Sequence, residues 1–190
     1  MTLRKVEIVD CHWTDFSNST FNGCISLEQI TIPEGIIFIG EHCFERCSFA
    51  SIKIPASVHT IGGWAFSSNR NLRSIHLSNL VQLGSYSIWN CVNLTTLFLP
   101  NTLKEISTNN PFQSDYNLTD VTLEDNFDCN NLNLSASIQY THDTILSWFN
   151  ALKDRTGESS SYKLIIGNHN LKKLTSEDIA IANNKNWTIV

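Results

Sequence analysis

The sequence predicts a β-rich repeat solenoid of about six rungs of 22–24 residues, closed at its carboxy end by an α/β extension. Three observations predict it. A segment of form L-x-x-I-x-I recurs at Leu3-Val6-Ile8, Leu27-Ile30-Ile32, Phe49-Ile52-Ile54, Leu72-Ile75-Leu77, Leu94-Leu97-Leu99 and Leu118-Val121-Leu123, its starts separated by 24, 22, 23, 22 and 24 residues. A second apolar pattern keeps step with the first. Past Asp125 the period stops and helix-capping signals take over. A fixed period of this size marks units that bury an apolar face only against their neighbours, so the chain is built as an extended surface.

Within one unit, the strand alternates inward aliphatic with outward polar residues, as a sheet wetted on one face must. Pro33, Pro55 or Pro100 then removes a ladder donor and stops the strand, with Ser78 in the fourth repeat. Apolar pairs follow at Ile36/Ile39, Val58/Ile61, Leu80/Leu83 and Leu103/Ile106, expected to form the far wall of the coil. Gly40, Gly62 and Gly84 come next, read as turn glycines, with Ser107 in the fifth repeat. An apolar knob closes the core at Phe44, Phe66, Ile88 and Phe112, and the opening repeat fits more loosely through Trp13, Phe16 and Phe21. Three residues past the knob stand Cys24, Cys47, Asn69, Cys91 and Asp115. Rungs spaced about 4.8 Å apart would give a sheet roughly 25–30 Å long.

The chain divides at residue 126: residues 1–126 carry the repeats, and residues 127–190 form an α/β cap expected to continue the solenoid sheet. A strand near Leu132–Leu134 opens the cap. Thr141 caps a helix with Ile145, Leu146, Phe149 and Leu152 on one face, expected to end at Gly157. A strand over Tyr162–Ile166 follows. Thr175-Ser-Glu-Asp178 has the form of a capping box opening a short helix through Ile179 and Ala182, and Trp187–Val190 reads as a last strand. A cap answers the physical problem of a solenoid end, where an apolar rung and a bare strand edge would otherwise meet water.

The strings SLEQITIPEGIIFIGEHCFERC and FASIKIPASVHTIGGWAFSSN resemble the BspA-like (Treponema pallidum type) leucine-rich repeats, over about residues 3–126. The fifth repeat departs by reading STNNPF in place of glycine and alanine. The resemblance implies a leucine-rich repeat solenoid from a bacterial cell-surface or secreted protein that binds a protein or glycan, host-derived in some members, in adhesion. It implies no enzymatic activity and no cofactor. It also implies export, whereas Met1–Asp10 lacks the apolar run of a signal peptide. A removed leader or removed earlier repeats would reconcile the two, leaving an amino-terminal edge open to self-association. A cytoplasmic location stays open. So does a structural or assembly role in a larger envelope or phage-like particle.

A formal net charge of -5 with no Lys/Arg run argues against nucleic acid and anionic membranes as partners, and no apolar stretch is long enough for membrane insertion. Of six cysteines, Cys24, Cys47 and Cys91 occupy one repeat column and Cys43 stands where Ala65 stands in the next rung, so four read as small buried residues. Adjacent rungs leave a Cys24–Cys47 bridge open. Cys43 and Cys47 beside His42 make a poor zinc site without a second ligand pair. Asn-x-Ser/Thr triplets stand at Asn18, Asn93, Asn117, Asn133 and Asn186, two of them at a position the repeat itself specifies. Asp154-Arg-Thr-Gly-Glu lacks the second glycine and the lysine of a phosphate loop. No Gly-x-Ser-x-Gly occurs and the histidines are scattered, so the chain is expected not to be an enzyme.

What remains is surface. Alternation places Glu7, Thr31, Lys53, His76, Phe98 and Thr122 in one outward column of the sheet. An aromatic on a wetted strand has no core to join, so Lys53, Arg73, His76 and Phe98 form the first candidate binding face. His42, Trp64 and Tyr86 form a second candidate patch on the turn side, where neighbouring rings are expected to stack on one another.

Overall fold

The computed structural model describes residues 3–8 and 12–190. Its repeat region is a parallel coil with two walls. One wall holds β1 (Lys5–Val6), β3 (Gln29–Ile30), β5 (Ser51–Lys53), β7 (Ser74–His76), β9 (Thr96–Leu99) and β11 (Asp120–Leu123); the other holds β2 (Asp15–Phe16), β4 (Phe38–Ile39), β6 (Thr60–Ile61), β8 (Gln82–Leu83) and β10 (Glu105–Ile106). The first wall pairs β1 with β3 and then runs as a four-stranded sheet in the order β5-β7-β9-β11; the second is one five-stranded sheet in the order β2-β4-β6-β8-β10. The far wall expected from the apolar pairs is thus a sheet in its own right. Strands two residues long show no alternation in sequence, and only stacked copies turn them into a ladder.

The knob turns carry a third set of bonds between rungs, Phe44 N to Ala65 O (2.8 Å), Phe66 N to Ser87 O (2.7 Å) and Ile88 N to Pro111 O (3.1 Å). Behind them Phe21, Phe44 and Phe66 stack ring on ring at 5.3 Å. Phe21 is therefore the knob of the first rung. Trp13 is 59% exposed and covers no core.

The glycine column has a different cause from the one expected. None of Gly40, Gly62 and Gly84 has positive φ; a Cβ on Gly84 would lie 2.4 Å from Gly63 N, and one on Gly62 would lie 2.7 Å from Glu41 N. These glycines let one rung's backbone touch the next. The left-handed positions belong instead to His42, Trp64 and Tyr86 (φ 55, 53 and 55) and to Arg46, Ser68 and Asn90 (φ 58, 59 and 60). In the fifth rung Ser107 replaces the glycine and is exposed, and the chain swings out until Pro111 re-enters the ladder.

Asparagines tie the rungs along the strand entry: Asn71 Nδ2 donates to Ser48 Oγ (2.8 Å), Asn93 Nδ2 to Arg70 O (2.7 Å) and Asn117 Nδ2 to Val92 O (2.7 Å). This is the structural work of the repeat-specified triplet asparagines.

In the carboxy-terminal part, β12 (Leu132–Asn133), β13 (Tyr162–Ile165) and β14 (Trp187–Ile189) pair with one another in a separate three-stranded sheet, and the ladder of the first wall stops at β11. Helix α1 (His142–Ala151) covers β11: Trp148, fully buried, donates its indole N–H to Val121 O at 2.6 Å. Thr141 caps α1 through Thr144 N, as its position in sequence requires. The helix ends at Ala151 rather than Gly157, because Leu152 turns extended to bridge Phe127 and Lys153 N bonds to Phe127 O. Lys185 Nζ closes the helix end on the carbonyls of Phe149, Asn150 and Leu152. A short helix α2 (Gly167–Leu171), without a sequence signal, precedes α3 (Ser176–Asn183), whose Thr175–Asp178 capping box is formed in both directions. One apolar core runs without a break from Phe16 to Trp187.

Candidate functional site

The register of the four-stranded sheet aligns Lys53 with His76, His76 with Phe98 and Phe98 with Thr122. Lys53 and His76 are exposed and Phe98 is half-buried. The His76 and Phe98 rings lie parallel, centroids 4.1 Å apart. Each strand is held by the rungs beside it, so the row is pre-formed. Arg73 is outside that register column. It precedes β7, bonding to Ala50 O and accepting from Thr95 N, three residues or about 10 Å along the strand from His76.

The second patch is a ladder of rings. His42 stacks on Trp64 at 5.2 Å and 6°, and Trp64 on Tyr86 at 5.3 Å and 36°. Nδ1 of His42 meets Glu45 Oε2 at 2.7 Å. All three side chains leave the backbone from left-handed positions, and their facing surfaces are occupied by one another, so only edges and the outer faces remain for a ligand. The rings of each patch are thus stacked on one another, and Arg73 stands three residues along the chain from His76.

Among the described residues no three His, Cys, Asp or Glu side chains converge as a metal site. Cys24, Cys43, Cys47, Cys91 and Cys129 are free thiols, and Cys11 lies outside the described residues. Cys47 Sγ donates to Phe21 O at 3.3 Å, and burial pushes the thiols of Cys43, Cys47 and Cys129 up to about 12. These are inert packing groups. Among the described residues no helix is long and apolar enough to cross a membrane.

No curated protein of similar sequence matches the chain. Among solved structures, the leucine rich repeat protein TpLRR of T. pallidum is similar at 26% identity with a TM-score of 0.59, over 65% of this chain and 60% of that one. The chain thus spans less than two thirds of that protein's length. A leucine-rich repeat protein from Bacteroides ovatus matches at 14% identity and TM-score 0.48, covering 99% of this chain and 54% of that one. A leucine rich cell surface protein from Faecalibacterium prausnitzii matches at 18% identity and TM-score 0.42, covering 98% and 59%. The family described as BspA type leucine rich repeat region matches in six copies over residues 2–119, more than half of the chain, and the chain belongs to that family.

Proposed function

We propose that this chain is a non-catalytic recognition module that offers the outer face of its four-stranded sheet to a protein or glycan partner, in adhesion at a bacterial cell surface or from a secreted protein. Membership of a repeat family of interaction modules supports the general reading. The observation that carries the site is the parallel His76–Phe98 pair. It sits on the wetted side of the sheet, contributes nothing to the core, and is flanked by the exposed Lys53. A stacked aromatic pair held by its strands, beside a cationic side chain, is what a binding hot spot needs. Residues 127–190 serve in this reading as the cap that shields β11 and keeps the scaffold stiff.

The test is a screen of the purified chain against immobilised host-matrix proteins and a glycan array, followed by variants. Phe98→Ala with His76→Ala should weaken a captured ligand by about 2 kcal/mol while leaving the unfolding midpoint nearly unchanged. A ligand whose affinity ignores both changes binds elsewhere and removes the sheet face as the site.

A further inference from the structure

The chain has five arginines. Two are committed to carboxylates: Arg4 to Glu28 at 3.2 Å, and Arg155 to Asp128 and Glu158. The other three gather on one flank of the solenoid, where the knob turns lead into the strands. Arg46 and Arg70 line a depression of about 420 Å³ together with Trp89, Asn71, Asn90 and Ser68. Arg73 lines an adjoining depression of about 380 Å³ that shares Ser48 and Asn71 with the first.

This positive charge is only partly met by the protein's own carboxylates, and Glu28, which also lines the Arg73 depression, is paired with Arg4. Arg46 meets Glu45 through Nε at 3.7 Å, while His42 engages the same carboxylate at 2.7 Å. Among the described residues, Arg70 and Arg73 make no ion pair. In a chain of 18 acidic and 13 basic residues, Arg70 and Arg73, without an ion pair among the described residues, and the weakly paired Arg46 give this concavity an excess of positive charge that attracts anions.

Two independent features say what kind of anion fits. Trp148 and Trp187 each donate the indole N–H to a carbonyl, at 2.6 and 2.9 Å, whereas the half-buried Trp89 has no such partner among the described residues. Trp89 thus offers the depression an apolar surface and a free donor. Arg46, Ser68 and Asn90 occupy the same left-handed position on three successive rungs, with backbone N–H groups fixed on Ser67 O, Trp89 O and Gln113 O. Their side chains are thereby held in a row, Asn90 Nδ2 reaching Ser68 Oγ at 3.3 Å.

We propose that this flank binds an acidic saccharide. Its carboxylate or sulfate pairs with the guanidinium groups of Arg46 and Arg70, a sugar ring lies against Trp89, and the Asn and Ser side chains meet its hydroxyls. A row of hydroxyl and amide side chains matches the many hydroxyls of a sugar better than the spaced carboxylates of an acidic peptide. Three arginines are also too few for tight binding of a nucleic acid backbone. The site is separate from the His76–Phe98 row.

Calorimetric titration of the intact chain at low salt tests it, with an oligogalacturonate and a sulfated tetrasaccharide as the two anionic sources, and a neutral tetrasaccharide and hexaglutamate as comparators. At least one acidic saccharide should bind more tightly than both comparators. Arg70→Gln and Trp89→Ala should each weaken it roughly tenfold, about 1.4 kcal/mol, and Phe98→Ala should leave it unchanged. Arg70 is exposed, so Arg70→Gln reads binding even if Trp89→Ala disturbs the fold. The proposal is overturned if neither acidic saccharide binds, if hexaglutamate binds as tightly, or if Arg70→Gln has no effect.

Discussion

The backbone N–H of Cys91 points at the carboxylate of Asp115 from 2.8 Å, and both residues are wholly shielded from water. Asp115 occupies the repeat column of Cys47, Asn69 and Cys91, whose side chains donate to knob carbonyls: Cys47 to Phe21 O, Asn69 to Phe44 O and Phe66 O, Cys91 to Phe66 O. An ionised carboxylate can only accept. Among the described residues its Oδ2 has no partner, nor has the hydroxyl of buried Tyr140 nearby, and burial pushes the acid well above its ordinary value of 3.8 despite the Cys91 bond. A raised folded value means that the folded state holds the proton. Stability is then greatest below pH 3.8 as far as this group is concerned, and falls as pH rises toward the folded value.

Asp115→Asn should therefore stabilise the protein at neutral pH by about 1–3 kcal/mol, since the amide keeps an acceptor for Cys91 and gains a donor. Urea unfolding at pH 4 and pH 8 measures it. The gain should be larger at the higher pH, and equal gains at both would show that Asp115 is not the titrating group.

Phe66→Ala should cost about 3–5 kcal/mol, because the ring is fully buried and stacked on Phe44, and the rungs cannot close over the space it leaves. A loss below about 1 kcal/mol in chemical unfolding would contradict the stacked knob column.

Gly84→Ala should destabilise by about 1–3 kcal/mol or more, since the new methyl group would press on the backbone of Gly63 and Gly62. Gly63→Ala is the internal comparison. Its nearest neighbour would be Ser85 O at 3.2 Å, so it should cost clearly less in the same unfolding series.

Trp148→Phe removes the indole donor that closes Val121 O and should cost about 2–4 kcal/mol. Hydrogen exchange should show faster opening of β11 and α1 than of β5 and β7. Uniform acceleration across all strands would mean that α1 does not guard this edge.

Cys43, Cys47 and Cys129, with thiols pushed up to about 12 by burial, should resist a thiol reagent at neutral pH until the chain is unfolded. Intact-mass measurement after denaturing alkylation should count six free thiols in the chain, as against four were Cys24 and Cys47 bridged.

The apolar positions were legible because each repeats: Phe44, Phe66 and Ile88 announce one another at a fixed spacing, and the Thr175–Asp178 box is a local signal that needs no tertiary partner. The end of α1 was not, since Leu152 leaves the helix for Phe127, twenty-five residues earlier. Nor were the left-handed turns. Trp64 and Tyr86 are poor markers of positive φ, and the rungs impose a conformation their own chemistry disfavours. Of the candidate sites, the Lys53–His76–Phe98 row follows from alternation alone. The arginine flank does not, because Arg46, Arg70 and Trp89 come from three rungs and share no column; the phase of Arg46 with Ser68 and Asn90 was the one available sign.

Asn71 reaches Ser48, Asn93 reaches Arg70 and Asn117 reaches Val92, so these three rungs are each fastened to the one before, and a repeat unit contacts mainly its neighbours. Under tension such a molecule behaves as a spool. Drawn from the amino end, it should pay out chain in steps of one rung, each lengthening the tether by about 75 Å for roughly 22 residues at about 3.4 Å per residue. The junction of α1 with β11, stitched by Trp148 and braced by Lys185, would be the last to part, so extension is taken up rung by rung before that junction opens.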